Sequence, residues 1–119
     1  MLTIHVPLTT ETRGLIGRDA LSRLKPGAIL VNTARGGIVD EAALAEALKS
    51  GRVLAAGLDV FEKEPPDPRS PLLELPNVVL TPHISAGTRD AMRQKMAAIF
   101  ANLGRFFRGE PLANQVRFP

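Results

Sequence analysis

Leu2, Ile4 and Val6 alternate with polar residues ahead of Pro7, and this spacing predicts a short strand at the start of the chain. Thr9-Thr10-Glu11-Thr12 reads as a turn, and Asp19 to Leu24 as a short helical turn that Pro26-Gly27 ends. Ala28-Ile29-Leu30-Val31 is a continuous apolar run of strand length, the form expected of a central strand covered on both faces of a parallel sheet. Asp40 is placed to cap a helix through Lys49, with Leu44, Ala47 and Leu48 as its buried stripe and Gly51 at the left-handed position beyond its end. Val53–Val60 and Asn77–Thr81 are two further apolar runs. Between them, the prolines of Glu64-Pro65-Pro66-Asp67-Pro68 forbid regular structure. From Arg89 onward, Met92, Met96, Ile99, Phe100, Leu103, Phe106 and Phe107 recur at helical spacing, which predicts a long helix with an extended face to bury. That Met and Phe stripe reads as core rather than as a cofactor-binding surface.

Strands alternating with helical crossovers predict an α/β layered parallel sheet with right-handed connections. The 119 residues are 45% hydrophobic and 23% charged, which suits one small globular domain and leaves no room for two. No apolar run approaches the roughly 20 residues that cross a bilayer, and Met1-Leu2-Thr3-Ile4-His5 has no secretory signal pattern. With no cysteine there is no disulfide, thiolate metal site or cysteine nucleophile, and no metal site is expected. A reducing cytoplasm is compatible with this. Residues 1–88 carry nine basic and ten acidic groups and residues 89–119 carry six and two, so the net charge of +3 belongs to the tail. Those cations are spaced around the last helix without an aromatic platform, so a solvated face is expected and nucleic acid is not.

Ligands of an open parallel sheet bind at the carboxyl ends of its strands. Asn32-Thr33-Ala34-Arg35-Gly36-Gly37 follows the first long apolar run, Asp59 closes the second, and Thr81-Pro82-His83 follows the last. A cation, a carboxylate and an imidazole are thus predicted on one edge. Each has a plainer reading. Arg35 could be a solvated loop arginine, Asp59 could satisfy neighbouring backbone amides, and His83 could be a packing residue. Glu64 in the proline loop could simply face solvent, and His5 reads as a structural hydrogen-bonding residue. The joint placement at successive strand ends favours function.

Four motifs carry a resemblance: His5-Val6-Pro7-Leu8-Thr9, Asn32-Thr33-Ala34-Arg35-Gly36-Gly37-Ile38-Val39-Asp40, Gly57-Leu58-Asp59-Val60-Phe61-Glu62-Lys63-Glu64-Pro65 and Thr81-Pro82-His83-Ile84-Ser85. In this order they resemble the second half of the nucleotide-binding domain of the D-isomer-specific 2-hydroxyacid dehydrogenases, over nearly the whole chain. The resemblance implies a partial Rossmann-like sheet with flanking helices that lacks the glycine-rich first half. It implies a hydride transfer between NAD, or NADP, and a small 2-hydroxy or 2-oxo acid. Arg35 would bind the substrate carboxylate, Glu64 and His83 would be the catalytic pair, and Asp59 would contact the nicotinamide ring substituent. Pro7, Thr33, Ala34, Arg35, His83 and Gly87 would lie along the nicotinamide side of the cofactor. Residues 1–108 would be the later part of a dinucleotide-binding domain and residues 109–119 a tail returning to a substrate domain.

The ten glycines never form GxGxxG, and the acidic residue that selects NAD over NADP has no counterpart here. The expectation is therefore a piece of an active dehydrogenase. The alternatives are an inactive short remnant acting as a partner-binding or oligomerising module, and a binder of acidic surfaces through the basic tail. A homo-oligomer is expected by resemblance. If Met1 is the true start, the first strand would be an open apolar edge and several apolar groups of the last helix would be exposed, so the 119-residue chain would associate or be marginally stable.

Overall fold

The runs predicted to be strands pair in chain order. In a computed structural model that describes residues 1–116, β1 (Leu2–Ile4), β2 (Ala28–Asn32), β3 (Val53–Leu58) and β4 (Val78–Leu80) form one all-parallel sheet, in the order β1-β2-β3-β4. Leu30 sits opposite Leu2 on one side and Ala56 on the other, and Gly57 opposite Val79, so β2 and β3 are interior and β1 and β4 are edges. Between the strands run α1 (Arg18–Ser22) and α2 (Glu41–Lys49). A single 3₁₀ turn at Pro71–Leu73, which the pattern of apolar residues does not signal, leads towards β4.

The chain forms two compact units, and the first, Met1–Ser85, holds the sheet. Its core is Ile4, Leu30, Val53, Ala56 and Leu58 from the strands together with Leu21 of α1 and Leu44, Ala47 and Leu48 of α2. Asp40 caps α2 as its sequence position predicts, its side chain accepting from the Ala43 N–H at 2.9 Å. Gly51, at φ +75°, ends the same helix in the left-handed region that glycine enters without a Cβ clash. The expectation that β2 is covered on both faces fails. Leu30 is fully buried, but Ile29 on β2 is exposed, as are Leu54 on β3 and Val79 on β4. Within this unit α1 and α2 supply one apolar layer, which suffices for one face of the pleat.

The second unit begins at Ala86 and consists of α3 (Arg89–Phe107) and the tail that follows it. Thr88 caps α3 through its side chain, which accepts from the Ala91 N–H. Asn102 ties the tail back to the helix, donating to the Ala113 carbonyl and accepting from the Ala113 N–H. The expected buried face is not formed: α3 buries none of its residues, and Met92, Ile99, Phe100 and Phe106 are exposed. One helix and a short tail offer no second apolar layer for that stripe. Of the tail expected to return to a substrate domain, residues 117–119 lie outside the described residues.

Candidate active site

Each strand end delivers one group, and backbone hydrogen bonding fixes how the chain leaves the sheet. After β2, Asn32 is buried and shapes the turn behind it: its amide nitrogen donates to the Arg35 carbonyl at 3.0 Å, and its oxygen accepts from the Ala34 N–H at 3.1 Å. The turn presents Arg35 exposed, its guanidinium donating to the Ala34 carbonyl at 2.7 Å. His5, Val6, Pro7 and Leu8 beyond β1 face Thr33, Ala34 and Arg35 beyond β2 across a cleft of about 560 Å³. Pro7, Thr33, Ala34 and Arg35 are thereby brought to one place. The His5 ring shares a 2.7 Å hydrogen bond between Nε2 and the Thr3 hydroxyl, in keeping with its structural reading.

After β3, Asp59 is 1% exposed and fully engaged. Its Oδ1 accepts from the Thr81 hydroxyl and from the Ile84 N–H at 2.9 Å, and its Oδ2 accepts from the Ser85 N–H at 2.9 Å. Burial pushes the carboxyl up, but the bonds from Thr81, Ser85 and Ile84 outweigh it and hold the group well below the usual carboxylate range. Asp59 is therefore a charged clamp on the chain just past His83. His83 has φ +54°, a left-handed conformation unusual for a residue with a Cβ, and such strain persists only where surrounding contacts impose it. The Asp59 bonds to the next two amides are those contacts.

The clamp sets the imidazole against the proline loop. His83 Nδ1–H donates to Glu64 Oε2 at 2.9 Å, and Glu64 Oε1 accepts from the Phe61 N–H at 3.1 Å. These bonds, the one from His83 first, hold the Glu64 carboxyl below its ordinary range. A carboxylate only accepts, so the pair fixes the proton on Nδ1 and leaves Nε2 for a ligand. Phe61, Pro65, Pro66 and Pro82 wall the recess of about 220 Å³ beside the pair. The structure thus joins Glu64 to His83 and Asp59 to the His83 loop, and groups Arg35 with Pro7, Thr33 and Ala34. Gly87 lies in the second unit, one residue before the Thr88 cap. Sequence reasoning missed Asn32 and Thr81 as the residues that hold these groups in place. An asparagine at a strand end before two glycines is a signal for the first, and the second stands in the Thr81-Pro82-His83 motif with no local sign that Asp59 is its partner.

Residues 1–85 match the sequence profile of the D-isomer specific 2-hydroxyacid dehydrogenase NAD binding domain. The chain belongs to this family. It is 54% identical over 119 residues to D-3-phosphoglycerate dehydrogenase of Archaeoglobus fulgidus, covering 100% of this chain and 23% of that protein. The fold matches the D-isomer specific 2-hydroxyacid dehydrogenase of Xanthobacter autotrophicus Py2, solved in complex with NADPH and MES, with a TM-score of 0.78 and 45% identity over 97% of this chain and 47% of that one. It matches D-lactate dehydrogenase of Lactobacillus jensenii, solved with NAD+, with a TM-score of 0.88 and 31% identity over 98% of this chain and 39% of that one. The chain therefore spans less than half the length of each of these dehydrogenases. Among the described residues, no helix is long and apolar enough to cross a membrane.

Proposed function

We propose that this chain carries the proton-transfer and carboxylate-binding groups of a nicotinamide-dependent dehydrogenase that interconverts a D-2-hydroxy acid and its 2-oxo acid. The observation that carries the reading is the Glu64–His83 hydrogen bond between the loops that follow two neighbouring strands. In the reduction, the Nε2 proton of His83 goes to the substrate oxygen, and in the oxidation it returns. Glu64 holds the ring in place through its bond to Nδ1. Arg35 takes the substrate carboxylate through its planar fork and draws charge from the adjacent carbonyl.

The residues present fit the nicotinamide end of a dinucleotide. The cleft formed by His5–Leu8 and Thr33–Arg35 at the strand ends combines the apolar Val6, Pro7, Leu8 and Ala34 with the polar His5, Thr33 and Arg35, a surface suited to a flat polar ring. Pro7, Thr33 and Ala34 would hold that end, and Asp59, buried and engaged by Thr81, Ile84 and Ser85, would shape it by fixing the loop that carries His83. NAD or NADP, when bound, supplies or accepts the hydride at the substrate carbon. Both cofactors occur among the matched structures, and the proposal leaves the choice between them open.

A cytoplasmic setting and a homo-oligomeric assembly belong to the same proposal. The assembly is carried over from the family resemblance, and sedimentation of the chain as a stable monomer would count against it. The functional test is oxidation of NADH or NADPH with small 2-oxo acids. It is run on this chain and on the native-length polypeptide, with intact mass read from source cells. Glu64→Gln is expected to cut reductive turnover, because an amide in place of the carboxylate no longer holds the Nδ1–H of the ring in the same way. Unchanged turnover in His83→Gln would overturn the assignment.

A further inference from the structure

We propose that Glu62 and Glu41 form a two-way clamp that positions Glu64, with Glu62 acting as a positioning residue for the proton-transfer pair. The clamp rests on the reading of Glu64 and His83 as that pair. The Glu41 N–H donates to Glu62 Oε1 at 3.0 Å, and the Glu62 N–H donates to Glu41 Oε1 at 2.5 Å, so two residues 21 positions apart exchange backbone-to-carboxylate bonds in both directions. Glu41 is the first residue of α2, where the backbone N–H has no partner within the helix. Asp40 already serves Ala43, so Glu62 supplies an acceptor that the local cap does not. A carboxylate at that end also meets the favourable end of the helix dipole.

The segment held this way is the one that aims Glu64. Phe61 donates its N–H to Glu64 Oε1 at 3.1 Å, and Glu62 is the next residue, so fixing Glu62 on both its amide and its side chain leaves the 61–64 turn little freedom. The opposite side of the same peptide is also fixed. A Cβ on Gly36 would come within 1.7 Å of the Phe61 carbonyl oxygen, so the turn that carries Arg35 is seated directly on the Phe61 backbone. The turn carrying Glu64 is therefore pinned between α2 and the Arg35 turn. Burial pushes the Glu41 carboxyl up, the Glu62 N–H pulls it down, and the Glu62 charge pushes it up again. Two glutamates free to turn to water would avoid that mutual repulsion.

The test is the tautomer of neutral His83, read from its imidazole nitrogen shifts by NMR in the 119-residue chain, with His5 and the sheet amides as internal controls. In the native chain the Nδ1-protonated form is expected to dominate, and Glu64→Gln to abolish that preference. Glu62→Ala is expected to lose it to the same degree with the controls unmoved. Glu62→Gln, which keeps an acceptor for the Glu41 N–H, is expected to restore it. In the assayed enzyme, Glu62→Ala should lower kcat about tenfold while KM moves less than about twofold. A native tautomer in Glu62→Ala, or its loss in both Glu62 variants, overturns the clamp. If Glu64→Gln itself leaves the tautomer unchanged, the pair reading fails and the clamp falls with it. If Glu62→Ala unfolds the chain, Glu41→Ala removes only the acceptor of the Glu62 N–H and gives the same comparison.

Discussion

Replacing Asp59 by asparagine isolates the clamp behind His83. The carboxylate accepts from the Thr81 hydroxyl and from the Ile84 and Ser85 amides, with one oxygen holding two donors and the other holding one. Asparagine is nearly isosteric but has a single acceptor oxygen. With that oxygen facing Thr81 and Ile84, the new NH₂ group confronts the Ser85 N–H, donor against donor. Leaving one buried donor unpaired costs about 1–3 kcal/mol, and hydrogen bonds to a neutral acceptor are weaker than those to a charged one. Asp59 is 1% exposed while the residues that donate to it lie at the surface, so the middle of that range applies. We expect a loss of about 2 kcal/mol at pH 7, close to 8 °C in Tm for a chain of this size. The pH dependence follows from the lowered carboxyl. A group whose folded pKa lies below its unfolded value of about 3.9 contributes stability that is fully present above that pH. The contribution is lost as pH falls towards the folded value. Asparagine does not titrate, so the gap between native chain and variant should be constant from pH 7 to about pH 5 and close by about 1.4 kcal/mol per unit in more acid solution. Thermal melts followed by circular dichroism across this range measure it. Equal melting temperatures at pH 7, or a gap that widens on acidification, would refute the reasoning. The same variant should also release His83 from φ +54°, detected as loss of its contact with Glu64 by NMR.

Arg35→Lys should reduce kcat/KM about 100-fold or more in the assayed enzyme, since an ammonium cannot match a carboxylate bidentately, with circular dichroism unchanged. A loss under threefold would refute that role. Asp40→Ala removes the acceptor for the Ala43 N–H and should cost about 1 kcal/mol, read as a lower urea midpoint at constant slope. Glu41→Gln keeps an acceptor for the Glu62 amide while removing charge. Because burial raises the Glu41 carboxyl in the fold, its ionised form opposes folding above its folded pKa, and that penalty fades as pH falls through the carboxylate range. The variant should therefore be slightly more stable than the native chain at pH 7, by under about 1 kcal/mol given the exposure of the group, and indistinguishable near pH 4. A gain that grows on acidification would contradict this.

The sequence alone was enough for the alternation of strands and helices and for naming the candidate chemical groups. The apolar runs at 28–31 and 53–58 are short and bounded by glycine, proline or polar residues, so hydrophobic burial and turn chemistry act on near neighbours and leave a local trace. The Asp40 cap and the Gly51 terminus are equally local. Arg35, Asp59, Glu64 and His83 were legible because each follows an apolar run or sits in a proline-marked loop.

What only the tertiary structure decided is how those groups are held. Asp59 reaches residues 81, 84 and 85, Glu64 reaches His83, and Glu62 reaches Glu41. These bonds span 19 to 26 positions, a separation at which residue spacing carries no periodic signal. The exposure of Ile29, Leu54 and Val79, and the failure of α3 to bury its apolar stripe, have the same origin. Periodicity states that a face is apolar. Whether another layer lies against that face depends on packing between distant segments, which no local pattern encodes.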